Sequence, residues 1–233
     1  MNNEFSKIDL NDKTLTGRSD QHIVWLTSTI GIHKQMLNAW KTMQKAALND
    51  GILLKIVSGF RSFERQLMLW NNKYQQITAV KDHQNNPVDL NKLSAEERIK
   101  AILVYSALPA ASRHHWGTDI DVYAPNLLSD GQKLQLEPWE YLANGPMAPL
   151  TLWLQENCSQ YGFYFPYNKD RGGVAIEPWH LSYAPLSKIF TAQLTEELLK
   201  GTLQNSSVAA REIVLKQLPF IYKNFIMNVN SLN

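Results

Sequence analysis

The chain has a single cysteine, Cys158, which excludes a framework of internal disulfide bonds. It also lacks any stretch of about 18 apolar residues, the length that predicts a membrane-spanning helix. Its charges almost cancel, with 23 basic and 21 acidic side chains and a net charge of +2. No basic stripe with interleaved aromatic residues is present, so we expect no nucleic-acid partner.

The first twenty residues contain no basic segment followed by an apolar run, which is the pattern of a secretory signal. We therefore expect a cytoplasmic protein, or a periplasmic one if a signal has been trimmed from this sequence. The length of 233 residues and the hydrophobic content of 44% predict one packed domain, residues 1–233, that needs no disulfides.

The periodicity of the apolar residues predicts many helices and few strands. Helical spacing, capping residues and glycine or proline stops indicate helices at 33–49, from Ser62 onwards, at 95–108, 150–162, 191–203 and 207–226. Strands are indicated at 52–57, at 118–123 and within 172–183, and the polar segment 77–93 indicates a loop. Such a mixture predicts the α+β fold class.

Residues 112–121, SRHHWGTDID, concentrate two histidines and two aspartates in ten positions. A solvated loop rarely needs so many potential metal ligands. The segment runs into a predicted strand, on which side chains alternate between two faces. Asp119 and Asp121 therefore face one side, whereas Ile120 and Val122 face the other.

A second source of ligands lies at residues 177–180, EPWH. A hydrolytic zinc site needs three protein ligands, an open position for water and a nearby base. His114, Asp121 and His180 can supply the ligands, and Glu177 can supply the base. Each motif is weak when taken alone, but the two motifs together make a complete catalytic set.

Three segments together resemble the LAS metallopeptidases, which include the VanY-type D-alanyl-D-alanine carboxypeptidases. They are SGFRSFERQ at 58–66, SRHHWGTDID at 112–121 and EPWH at 177–180, and they occur in the order typical of that family. The resemblance covers about residues 20–186, the expected catalytic core. It implies a small antiparallel sheet that carries the zinc site, flanked by helices, with a C-terminal helical extension at about 187–233.

The resemblance implies that one Zn²⁺ per chain is held by His114, Asp121 and His180. Glu177 is then the general base that activates water at the zinc. Arg61 meets the substrate or the negative charge that develops on its carbonyl oxygen.

Further residues are expected around this site. By the same resemblance, Gln66 and Ser112 face the substrate. Asp119 stands where the family often has alanine, and on a strand it shares the face of Asp121, so we expect it to orient a ligand histidine. We expect His115 beside the site, in a supporting, substrate-binding or structural role, and Trp179 packed against the site to hold His180.

Other reactive residues receive ordinary structural interpretations. We expect His33 on the surface of the helix at 33–49 and His83 in a solvated loop. His22 is expected to be structural, with lining of the cleft as the alternative. Cys158 shares the apolar side of its helix and is expected to be a buried thiol rather than a nucleophile.

The substrates implied by the resemblance are peptidoglycan stem peptides, or muropeptides, that end in D-alanine. A D,D-carboxypeptidase, an L,D-carboxypeptidase and an endopeptidase remain open, and the missing signal favours recycled tetrapeptides as substrates. A non-catalytic zinc-containing module that binds cell-wall peptides is the alternative from another class. Because both Glu177 and Arg61 are present, we expect an enzyme.

Overall fold

Two antiparallel sheets organise residues 10–230, the part of the chain that the computed structural model describes. Residues 1–9 and 231–233 of the expected domain lie outside that part. The main sheet has the strand order β3-β4-β6-β5, and a separate hairpin pairs β1 with β2. The strands are β1 (Ile23–Trp25), β2 (Gly31–His33), β3 (Lys55–Ser58), β4 (Asp119–Tyr123), β5 (Phe163–Tyr164) and β6 (His180–Tyr183).

Helices surround these strands, which confirms the α+β class. No helix between residues 10 and 230 is both long and apolar enough to cross a membrane. The α-helices are α1 (Asp12–Leu15), α2 (Leu37–Asn49), α3 (Phe63–Tyr74), α4 (Ala95–Leu103), α5 (Pro138–Tyr141), α6 (Ala148–Asn157), α7 (Ala184–Gln193), α8 (Glu196–Gln204) and α9 (Arg211–Ile221), and a π-helical turn at Tyr222–Ile226 continues α9.

The central strand β4 separates the apolar core from the polar face of the sheet. Ile120 and Val122 are fully buried and belong to an apolar cluster that includes Trp40 and Met43 of α2. Asp119 and Asp121 alternate with them and point to the opposite face, as the predicted strand periodicity requires. A second apolar cluster is built by α3, α4 and the three helices α7, α8 and α9.

Local capping signals place the starts of α3 and α4 correctly. Ser62 accepts a hydrogen bond from the Arg65 amide at 3.2 Å, and the predicted capping box of Ser94 and Glu97 is present. Helix α4 nevertheless ends at Leu103, well before the predicted stop at Pro109. The carbonyl of Val104 accepts a hydrogen bond from a distant amide, that of Ala175, at 2.9 Å, so the chain leaves the helix to meet a tertiary partner.

The C-terminal region contains three helices rather than the two predicted at 191–203 and 207–226. The first of these predicted helices is interrupted at Leu194, whose backbone is extended. Thr195 then caps α8 by accepting a hydrogen bond from the Leu198 amide at 3.2 Å. Threonine at an N-cap begins a new helix, which explains why one apolar periodicity became two shorter helices.

The expected surface position of His33 is wrong. This residue ends β2 and is only 3% exposed, because its ring packs against those of Phe190 and His22, with ring centroids 5.8 Å and 5.5 Å apart. Burial, aided by the neighbouring His22 and Lys34, lowers the pKa of His33 to about 3. Cys158 is buried as expected, and burial raises the pKa of its thiol to about 11.

Candidate active site

The pairing of β4 with β6 brings two distant candidate ligands together. Asp121 lies directly opposite His180 in the antiparallel register. His114 arrives from the 3₁₀ turn at Arg113–Trp116, which immediately precedes β4. One ligand atom from each of the three residues lies within 4.8 Å of the others, and all three side chains are buried.

Both histidine rings are oriented by a hydrogen bond on the side away from this cluster. The Nδ1 of His114 lies 2.9 Å from the Gly59 carbonyl, which can only accept, so Nδ1 carries the proton. The Nε2 of His180 donates to the Asp119 carboxylate at 3.1 Å. The remaining ring nitrogens, Nε2 of His114 and Nδ1 of His180, face the Asp121 carboxylate at 3.5 Å and 3.1 Å, and the surrounding carboxylates raise the pKa of His180 well above its ordinary value.

A carboxylate oxygen beside these two ring nitrogens has no hydrogen-bond partner of good geometry among residues 10–230. It is the buried Oδ1 of Asp121, although the Nδ1 of His180 is only 3.1 Å away. Burial lowers the pKa of His114 to about 4, so its ring is neutral near pH 7. Two imidazole nitrogens and a carboxylate with an unpaired oxygen match the ligand types that a zinc ion prefers.

Asp119 lies behind His180 rather than in the ligand cluster. Its carboxylate is fully buried and accepts hydrogen bonds from Arg113 at 2.7 Å, Thr118 at 2.8 Å and Ser182 at 3.1 Å, as well as from His180. Burial alone would raise the pKa of Asp119, but the charges and hydrogen bonds of Arg113 and His180 hold it well below its usual value. The carboxylate is therefore ionised and holds the His180 ring.

Arg113 is a residue that the sequence reasoning missed. It is 5% exposed, and its guanidinium also donates to Ser182 at 2.7 Å and to the Tyr164 hydroxyl at 3.1 Å. A signal was available, because Arg113 lies between Ser112 and His114, two residues expected at the site, and a charged residue that is buried there requires a partner of opposite charge.

Glu177 stands on the other side of His180. Its Oε2 lies 3.3 Å from the His180 Nδ1, and its amide donates to the Tyr167 carbonyl at 3.2 Å. Burial raises the pKa of Glu177 above its ordinary value, the direction that favours proton uptake by this carboxylate. The ring of Tyr167, also missed from the sequence, meets the His180 ring edge to face at 5.0 Å.

The guanidinium of Arg61 is fixed by two side chains of its own motif. It donates to the Gln66 side-chain oxygen at 2.9 Å and to the Ser58 hydroxyl at 3.2 Å. Gln66 was expected to face the substrate, but it is fully buried and its amide nitrogen donates to the Ala107 carbonyl at 2.7 Å. Both polar atoms of the Gln66 side chain therefore form hydrogen bonds within the protein, and the residue holds the Arg61 guanidinium rather than facing the cleft.

His115 holds the backbone of the same arginine. Its ring is fully buried, and Nδ1 donates to the Arg61 carbonyl at 2.6 Å. The Arg61 amide in turn donates to the His114 carbonyl at 3.1 Å. His115 therefore lies beside the site without facing its ligands, and it connects the Arg61 turn to the histidine turn.

A cleft with a volume of about 450 Å³ opens over these groups. It is lined by Ser112 and Trp179, two of the residues expected at the site, and Trp179 packs its ring 5.6 Å from that of Tyr141. The cleft thus exposes the candidate ligands to a small substrate. Its other linings include Arg61, His114, Asp121, Glu177, His180, Lys73, Tyr105, Phe225 and Ile226.

Comparison with known proteins identifies the family. Residues 29–186 match the VanY family, described as D-alanyl-D-alanine carboxypeptidase. The chain belongs to this family. All three motifs, at 58–66, 112–121 and 177–180, fall inside the matched region, so the family resemblance seen in the sequence is confirmed. This VanY-family chain is therefore a member of a peptidase family.

Three relatives illustrate the likeness. An uncharacterised protein of Haemophilus influenzae is 37% identical over 122 residues, covering 52% of this chain and 93% of its own. A mutant of the vancomycin resistance D,D-pentapeptidase VanY, solved in complex with Zn(II), is 23% identical with a TM-score of 0.51, over 78% of this chain and 92% of its own. VanYB in complex with D-alanine-D-alanine is 19% identical with a TM-score of 0.53, over 81% and 92%. At such identities the two structures show a shared fold.

The buried pair of Arg113 and Asp119 leads to a stability prediction. Replacing Arg113 with Met leaves the Asp119 carboxylate buried without its cation, and we expect a loss of about 3–5 kcal/mol in the free energy of unfolding. Denaturant unfolding measures this loss. In a control pair, Lys92 and Asp89 have side chains that are 82% and 49% exposed, so Lys92→Met should cause little or no loss. Equal losses in the two variants would contradict the structural importance of the buried pair.

Proposed function

We propose that this VanY-family chain is a zinc-dependent carboxypeptidase that removes terminal D-alanine from peptidoglycan stem peptides. The observation that carries the proposal is the convergence of His114, Asp121 and His180 within 4.8 Å, with Glu177 and Arg61 lining the same cleft. One structural relative was solved with Zn(II) and the other with D-alanine-D-alanine. We propose that this chain binds the same metal and a ligand of the same kind.

His114, Asp121 and His180 would hold the zinc ion, which would lower the pKa of a bound water towards neutrality. Glu177 accepts a proton from the attacking water and passes it to the leaving amine. Arg61 faces the carbonyl oxygen on which negative charge develops. Burial lowers the pKa of Arg61, but the carboxylates of Asp121 and Glu177 oppose this change, and a guanidinium remains charged at any working pH.

The supporting residues act through these groups. Asp119 holds the His180 ring, while Gln66 and His115 hold the side chain and the backbone of Arg61. Ser112 and Trp179 form walls of the cleft next to the substrate. A site whose charged groups are held in place before substrate binds needs little rearrangement during the reaction.

The bond that is cut stays open between a D,D- and an L,D-linkage. The cytoplasmic localisation expected from the sequence stays a prediction, and it favours recycled tetrapeptides and therefore L,D cleavage. Endopeptidase cleavage of crosslinks and a non-catalytic binding module are the alternatives. A binding module has no need for a buried base, so the position of Glu177 beside His180 favours the enzyme.

The first test concerns the metal. Elemental analysis of protein purified without added metal should find one zinc per chain, and His180→Ala should remove it because a ligand is lost. His83→Ala is the matched control, since His83 lies in the segment 77–93 and does not line the cleft. Full zinc content in the His180 variant would contradict the proposed ligand set.

The second test concerns cleavage. We expect mass spectrometry to show the loss of one alanine from purified pentapeptide or tetrapeptide stems, and a chelator should block it. Glu177→Gln should lower the rate by about a hundredfold or more, because a general base is lost. Glu156→Gln, which changes an exposed glutamate of α6, is the matched control and should retain activity. Intact stems with zinc bound would contradict a carboxypeptidase and favour an endopeptidase or a binding module.

A further inference from the structure

The end of the described chain lines the cleft, although it lies outside the region that matches the family. We call residues 222–230 the C-terminal wall. The family match ends at residue 186, yet Phe225 and Ile226 of this wall line the same cleft as His180 and Glu177. Phe225 is 9% exposed and belongs to the apolar cluster of the surrounding helices. The cleft is therefore completed by residues that the matched family region does not contain.

The C-terminal wall is held against the segment 165–173. The Asn230 amide donates to the Pro166 carbonyl at 2.8 Å, and its side chain donates to the Phe165 carbonyl at 3.1 Å. The Asn228 side chain donates to the Arg171 carbonyl at 2.9 Å. These hydrogen bonds fix the wall at several points, so Phe225 and Ile226 occupy defined positions.

A close backbone approach strengthens the same contact. A Cβ atom added at Gly173 would lie 2.1 Å from the Asn224 carbonyl oxygen, so this position accepts glycine alone without movement of the backbone. The segment 165–173 also contains Tyr167, whose carbonyl accepts the Glu177 amide. The wall thus packs directly on the segment that leads to the proposed base.

We propose that Phe225 and Ile226 bind the alkyl side chains of the peptide substrate and make the C-terminal wall a specificity element. The inference rests on the proposed function, because it assumes a peptide with alanine methyl groups as the occupant. The cleft offers an apolar surface for these methyl groups. Besides Phe225 and Ile226, it is lined by Leu103, Leu108 and Ala111, which belong to the same apolar cluster as Phe225. Burial of methyl groups against such a surface is favourable.

The test compares substrate binding with turnover in zinc-loaded full-length protein. Phe225→Ala should raise KM for a D-alanine-terminated stem peptide about fivefold to tenfold with little change in kcat, and Phe225→Leu should restore most of the affinity. Leu218→Ala is the matched control, because Leu218 is buried in the same cluster but does not line the cleft. Calorimetric binding of the same peptide to Glu177→Gln protein, with and without Phe225→Ala, provides a readout that needs no turnover.

Weaker binding for the Phe225→Ala variants alone supports the wall as a specificity element. Equal effects of Phe225→Ala and Leu218→Ala would overturn it, as would peptide binding that is undetectable or insensitive to Phe225→Ala. Cleavage of stem peptides by the unaltered protein tests the proposed function separately. The proposed function and the role of the C-terminal wall can therefore fail independently.

A different observation concerns a lysine of the cleft. Lys73 follows Gln66 by two turns of α3, which places both on one face of the helix. Its ammonium lines the cleft and donates to the Tyr105 carbonyl at 3.5 Å, and it forms no ion pair with any residue from 10 to 230. Lys81, by contrast, lines the same cleft but is already paired with Glu137.

We infer that Lys73 binds a carboxylate of the peptide substrate, an assignment that also rests on the proposed function. Burial, opposed by the charge of Glu177, lowers the pKa of Lys73 to about 8, so the amine is still mainly charged at pH 7. A half-buried cation without an anionic partner gains most from an anion that enters with the ligand. The carboxylate comes either from the peptide terminus or from an acidic residue further upstream.

Calorimetry with amidated peptides distinguishes these two sources. In the zinc-loaded Glu177→Gln protein, amidation of the carboxylate that meets Lys73 should weaken binding about tenfold or more. Lys73→Met should weaken binding of the free acid by a similar factor and remove the difference between acid and amide. Lys73→Arg should keep that difference, and so should the control Lys81→Met. An acid–amide difference that persists in Lys73→Met, or one that is absent from the protein with Lys73 intact, would overturn the assignment.

Discussion

The ion pair between Asp119 and Arg113 lies inside the protein, and the geometry of the candidate site depends on it. Because the Arg113 charge keeps the buried Asp119 carboxylate ionised, that carboxylate accepts the N–H of His180. The other nitrogen of His180 must then face Asp121 and Glu177. A buried carboxylate without its cation would be costly, so the orientation of the His180 ring depends on this ion pair.

Arg61 is also held in place by hydrogen bonds within the protein. Its guanidinium is held by Gln66 and Ser58, and its carbonyl by the ring of His115. The turn after β3 and the histidine turn before β4 are thereby joined into one unit, which places a fixed positive charge near the candidate metal ligands.

The site lies between two apolar clusters, and this position explains why the C-terminal helices matter to it. One cluster packs against the face of β4 opposite the site, through Ile120 and Val122. The other contains Leu108 and Ala111 beside the histidine turn and extends to Phe225 at the end of the described chain. The family region contains the candidate site residues, and the helices that follow it supply part of the surface next to them.

Local rules were sufficient for much of this protein. Alternation along β4 predicted the two faces of the sheet, and the capping box at Ser94 predicted the start of α4. The family resemblance named His114, Asp121 and His180 as candidate metal ligands, and the structure brings these three residues together. The burial of His33 and the end of α4 at Leu103 were missed. Both depend on residues far apart in sequence: the His33 ring packs against Phe190, and the Val104 carbonyl accepts a hydrogen bond from the Ala175 amide. Residue type and spacing determine which groups can bind or react. Only tertiary packing decides which buried polar group finds which partner, because that pairing is set by strand register and by the distant backbone that comes to lie beside it.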